Sequence, residues 1–172
     1  MERILVAVDF SESSRRALKA ALELGRAFNA RVRAVHVLSS MLSGGAEKTL
    51  LAQLRETMAG DAEKALRDMI LEEFRGGTED LDQVDRKILF GSAASAILEE
   101  AIWWDATLLV VGGLGHSAVR RLLLGSVASR ILSRATIPVF VVHRDFRIRP
   151  RKVLAAVDRG PETDVHPREG HR

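Results

Sequence analysis

Five short apolar runs, spread along the chain and separated by helical segments, limit the fold more than any other feature. They are Arg3–Val8 (RILVAV), Arg31–Leu38 (RVRAVHVL), Val84–Phe90 (VDRKILF), Thr107–Val111 (TLLVV) and Ile137–His143 (IPVFVVH). Near-continuous apolar runs of this length are what strands buried on both faces look like. Between them lie stripes at helical spacing. The first contains Ala17, Leu18, Ala21, Leu22, Gly25 and Phe28; a longer one contains Leu50, Leu51, Leu54, Met58, Ala62, Ala65, Met69 and Ile70. Gly91-Ser92 opens a third helix through Ala94, Ile97, Leu98 and Ala101, and a fourth is expected near Ser126–Arg134. Asp9, Ser11 and Ser13 are candidate caps for the first helix. Strand and helix in alternation mean βαβ units, right-handed crossovers and helices on both faces of a parallel sheet. The expected fold class is α/β, doubly wound.

The chain has 172 residues, about one domain, with 47% hydrophobic and 28% charged residues, which is globular composition. Cysteine is absent, which excludes disulfides, thiolate chemistry and cysteine-based zinc sites. No apolar run reaches the roughly 18 residues of a membrane helix. The apolar run after Met1-Glu2-Arg3 is too short for a secretory signal, so a soluble, cytoplasmic protein is expected, with no membrane partner. The net charge of +3, from 26 basic and 23 acidic residues, is too small to imply nucleic acid. The basic cluster Arg144, Arg147, Arg149, Arg151 and Lys152 reads as a solvated linker.

An internal echo follows that linker. Arg151–Asp158 (RKVLAAVD) repeats the character of Glu2–Asp9 (ERILVAVD), with Leu154, Ala156, Val157 and Asp158 standing for Leu5, Ala7, Val8 and Asp9. Residues 1–145 are therefore expected to form the domain. Residues 146–172 are expected to be a linker, the remnant first strand of a second repeat and a disordered tail.

The segment richest in chemistry is Gly112-Gly113-Leu114-Gly115, nine residues, then Gly125-Ser126. It starts where an apolar strand ends. Glycines allow close backbone approach and positive φ, and a Gly-Ser pair opening a helix offers free N–H groups and a hydroxyl to an anion. A tight turn alone would explain one such glycine less well as their number grows.

The spacing Gly-x2-Gly-x9-Gly-Ser, met by Gly112, Gly115, Gly125 and Ser126, resembles that of the universal stress protein family. Leu122–Val142 and the opening ILVAVDFS are similar to the family's corresponding stretches, and the likeness covers about residues 2–143. The resemblance implies an adenine-nucleotide α-hydrolase-like sheet of order 3-2-1-4-5, a homodimer formed through the last strand, and the subgroup that binds ATP with Mg²⁺. It places Asp9 at the adenosine, Ala7 on the adenine side and the backbone of Val37 against adenine. Gly112, Gly113, Leu114, Gly115, His116, Ser117 and Ala118 would wrap ribose and phosphates. Gly125 closes the motif, and Ser126, Val127 and Ala128 would hold phosphates. The chain departs from the family at Gly113, where Thr or Ser is usual, at Ala7, where Pro is frequent, and at Thr107, where Asp is usual.

Asp9 serves equally as a helix cap or a ligand contact, and His116 equally as a contact or an exposed loop residue. Arg120 and Arg121 suit either phosphate neutralisation or surface charge. His36 reads as a satisfied histidine at the sheet rim, Trp103 and Trp104 as packing against the sheet or an interface, and Glu72-Glu73 and Glu99-Glu100 as solvated helix faces. The P-loop and the Gly-x-Ser-x-Gly elbow are absent. Gly113-x-Gly115-x-x-Ala118 mimics a dinucleotide fingerprint but lacks its downstream acid. The expected function is an ATP-binding regulatory module with slow or no hydrolysis. Its rivals are a nucleotide-free dimerising module of the same fold and an ATP-consuming enzyme.

Overall fold

The computed structural model describes residues 2–39, 48–73, 84–113 and 125–143. Strands β1 (Arg3–Ala7), β2 (Arg31–Leu38), β3 (Val84–Phe90), β4 (Leu108–Gly112) and β5 (Val139–Val142) alternate with helices α1 (Glu12–Phe28), α2 (Lys48–Glu73), α3 (Ala93–Trp103) and α4 (Ser126–Leu132). The sheet is parallel throughout, in the order β3-β2-β1-β4-β5. Both the α/β class and the strand order match expectation. The loop positions Leu114–Ala118, Arg120 and Arg121, and the echo at 151–158, lie outside the described residues.

Side-chain alternation along each strand sends residues to two separate cores. Ile4, Val6, Val32, Ala34 and Val110 pack under α1 and α2, against Leu18, Leu22, Leu66 and Ile70. Leu5, Val35, Leu109 and Val111 face the other way, against Ile97 and Ala101 of α3 and Ala128 and Ile131 of α4. The central strands β1 and β4 are buried on both faces, which is why their sequences show no polar alternation.

Ser11 is the residue that caps α1: its Oγ accepts from the Ser14 N–H at 3.2 Å. The helix ends at Asn29 in the left-handed region (φ +49°), and the Ala30 N–H returns to the Gly25 carbonyl at 2.9 Å. Gly25 is required by packing, since a β-carbon there would stand 2.6 Å from Val32 Cγ2. Phe28, counted in the helical stripe, is exposed because the chain turns away into β2 at that point.

The α2 stripe holds only in part. Ala62, Met69 and Ile70 are buried, while Leu54, Met58 and Ala65 are exposed. A helix of 26 residues is about 39 Å long, against about 23 Å for the seven residues of β3. Its first turns therefore overhang the sheet.

Thr107 has a structural role: its Oγ1 donates to the Arg3 carbonyl at 3.0 Å and accepts from the Glu2 N–H at 3.2 Å. Trp104 is buried as expected, but Trp103 stands 71% exposed. Glu100 corrects the reading of Glu99-Glu100 as a solvated pair. It is buried between Arg33 and Lys87, whose Nη1 and Nζ reach its two oxygens at 2.6 and 2.8 Å.

Candidate functional site

The strand order reverses direction between β1 and β4, the place where open α/β sheets leave a crevice at the carboxyl ends of the strands. A cleft of about 380 Å³ lies there, within the range of small-ligand sites. Ala7 and Asp9 reach it from the end of β1, Val37 from β2, Gly112 and Gly113 from β4, and Gly125, Ser126, Val127 and Ala128 from the start of α4. Every site residue expected from the sequence that falls among the described residues thus lines this one cleft.

Its walls are of two kinds. Val35, Val37, Ile97, Val111 and Ala128 make an apolar side. Asp9, Ser13, Ser14 and Ser126 make a polar one. At the start of α4 the Ser129 N–H is the one that donates to the Gly125 carbonyl, at 2.8 Å. The N–H groups of Ser126, Val127 and Ala128 therefore precede the helical ladder.

Asp9 is not the cap of α1 but braces it, since Ser11 is the residue that caps the helix. The Asp9 Oδ1 accepts from both the N–H (3.0 Å) and the Oγ (2.5 Å) of Ser11, while Asp9 itself remains in the cleft wall. Burial pushes the carboxyl pKa up, but hydrogen bonds from Ser11 and Ser14 outweigh it and leave the group below the ordinary value of 3.8. A lowered folded-state pKa means that Asp9 stabilises the fold above the unfolded value. That contribution is lost as pH falls through the folded one.

Next to Asp9 the backbone is strained. Phe10 has φ +62°, a region that bulky L-residues rarely occupy. Its ring packs on His36 with centroids 4.5 Å apart. His36 Nδ1 lies 2.8 Å from the Val8 carbonyl, so it is Nδ1 that carries the proton and donates. The histidine is satisfied at the rim, as expected, and ties the exit of β1 to β2.

The glycines owe their identity partly to the protein itself. A β-carbon at Gly112 would lie 2.6 Å from the backbone of Ser13, and one at Gly113 would collide with the imidazole of His143. The expectation that these glycines exploit positive φ fails among the described residues. Gly125 has φ −61°, and the glycine with positive φ is Gly91, at +128°.

Ser13, Ser14, Val35, His36, Ala93, Ile97 and Val111 also line the cleft without having been expected there. Val35 shares its face of β2 with Val37, so period-two alternation was the available signal. Ser13 and Ser14 follow from the cap at Ser11.

The sequence signature of the universal stress protein family matches residues 1–143. The chain belongs to this family. Universal stress protein MJ0531 of Methanocaldococcus jannaschii is 32% identical over 147 residues, covering 83% of this chain and 82% of the relative. Among solved structures, universal stress protein UspA from Lactobacillus plantarum superposes with a TM-score of 0.66 at 23% identity, over 83% of this chain and 97% of that one. A universal stress protein crystallised in complex with cAMP gives 0.61 at 24% identity, over 83% and 97%. At these identities the structural matches establish the shared fold.

Proposed function

We propose that the cleft binds an adenine nucleotide, ATP with Mg²⁺, and that the protein works as a nucleotide-sensing regulatory module with slow or no hydrolysis. The observation that carries this reading is the convergence of the ends of β1, β2 and β4 and the start of α4 on one cleft with an apolar and a polar side. A nucleotide needs such a division. The base is flat and apolar on its faces, and the phosphates are anionic.

The residues present fit that ligand. Ala7 and Val37 would border the base. Asp9 would meet a ribose hydroxyl or Mg²⁺, which when bound offsets phosphate charge. The backbone of Gly112 and Gly113 and the N–H groups at Ser126 and Val127 would hold phosphate oxygens. Among the described residues no group of three or more His, Cys, Asp or Glu is placed to hold a metal alone, so Mg²⁺ would arrive with the nucleotide. The cAMP bound by a relative of the same fold supports an adenine ligand. The cleft's only imidazole, among the described residues, is His36, already committed to the Val8 carbonyl.

Gly125→Val tests the assignment cleanly. At φ −61° and ψ 155° the backbone accepts any residue, so the variant should fold, while it adds bulk at a residue that lines the cleft. Calorimetric titration with ATP-Mg²⁺ should show affinity reduced at least tenfold, with an unchanged circular dichroism spectrum. Equal affinity in both forms, or a wild type that takes up no ATP, refutes the assignment. The second result would favour the nucleotide-free module.

A further inference from the structure

We infer that His143 is a positioning residue of the nucleotide site, holding the root of the glycine loop through Gly113. The inference rests on the nucleotide reading above and adds to it a residue outside the glycine motif.

Two successive glycines leave β4, and each is pressed against a different part of the protein. Gly112 abuts the Ser13–Ser14 backbone, where a β-carbon would stand 2.6 Å from the Ser13 carbonyl carbon and 2.9 Å from the Ser14 nitrogen. That side is backbone at a capped helix start and cannot yield. Gly113 abuts the ring of His143, and its N–H donates to the Val142 carbonyl at 3.0 Å. Gly113 itself is buried, and the exposed His143 has its ring where a side chain at residue 113 would lie.

The root of the loop is therefore held between α1 on one side and the end of β5 on the other. Gly112 and Gly113 both line the cleft, so the position of this root sets where their backbone meets a ligand. A β-carbon at residue 113 would meet Cγ of the ring as well as Nδ1 and Cε1. A side chain at 113 thus cannot be accommodated by tilting the tip of the ring; either His143 changes its χ1 rotamer or the loop root shifts. His143 occupies the space that a side chain at residue 113 would fill, and the two positions are coupled in size.

The prediction is reciprocal compensation. His143→Ala removes the ring beside the root and should weaken ATP-Mg²⁺ binding about fivefold; Gly113→Ala displaces the root and should weaken it about tenfold. In the double variant the new methyl occupies part of the vacated space. Its affinity should return to within about threefold of wild type, well short of the roughly fiftyfold loss that independent effects would give. Titrations are run well below each variant's melting temperature, so that a merely structural role, which lowers stability alone, leaves the affinity of the folded protein unmoved. Single variants that bind like wild type, or a double variant showing the full product of the two losses, overturn the positioning role. A wild type that takes up no ATP overturns the site reading and the role with it, which is distinguishable from binding that ignores both substitutions.

Discussion

Phe10 combines a left-handed backbone with a bulky side chain, and the two features can be separated by substitution. Its φ of +62° disfavours any residue with a β-carbon, while its ring contributes the contact with His36. Phe10→Ala keeps the backbone penalty and loses the contact; Phe10→Gly loses both. The glycine variant should therefore be the more stable of the two by about 1 kcal/mol, or roughly 2–4 °C in melting temperature for a chain of this size. Thermal unfolding of both variants checks this, and an alanine variant equal to or above the glycine one would mean that the turn relaxes out of the left-handed region. The same turn shows what was legible residue by residue. Asp9, Ser11 and Ser13 announced a cap, but local spacing could not choose between them, because the choice depends on which oxygen meets the Ser14 N–H. Gly112 and Gly113 were legible as special, yet the reason was not. Their neighbours, Ser13 and His143, are remote in sequence and carry no pattern that links them to the glycines.

At the scale of elements, strands were read well because burial on both faces writes itself into an unbroken apolar run. β2 and β3 have the expected limits, and the others differ by a residue or two. The exposed side of a helix is harder to read. Glu99 and Glu100 look alike in sequence, but only Glu100 turns inward beneath Arg33 of β2 and Lys87 of β3. Arg33 also reaches Asp85 and lies over the Trp104 ring, 4.5 Å from its centroid, so one cluster ties α3 to β2 and β3. Removing one partner of a buried ion pair leaves the others uncompensated. Glu100→Ala should cost about 3 kcal/mol, the low end for buried pairs because Lys87 is partly exposed. Glu99→Ala, on the solvent side, should stay within about 0.5 kcal/mol of wild type. Urea unfolding of the two variants checks the contrast, and similar midpoints would show that the cluster does not hold α3 in place.

At the scale of the molecule, the sheet order puts β3 and β5 at the two edges among the described residues. The family resemblance implies, and we propose, that two copies of the chain meet along β5. The backbone says which groups would do so. The Leu109 N–H donates to the Pro138 carbonyl and the Gly113 N–H to the Val142 carbonyl, both at 3.0 Å. Successive residues of a strand direct their N–H and C=O groups to opposite sides, so Pro138, Phe140 and Val142 serve β4. Val139 and Val141 face the open edge. Proline is tolerated in an edge strand where its missing N–H would have pointed outward. Val141→Pro should therefore leave the ladder to β4 intact while removing a donor from the shared edge. Val141 also packs against the core beneath α3 and α4, and proline retains part of that apolar contact. If the protein dimerises through β5, light scattering should report the dimer mass for wild type and the monomer mass for the variant. Both proteins should retain the same circular dichroism spectrum and ATP-Mg²⁺ affinity, because the cleft opens at the carboxyl ends of the strands rather than along this edge. A folded variant that keeps the dimer mass would move the interface elsewhere on the molecule.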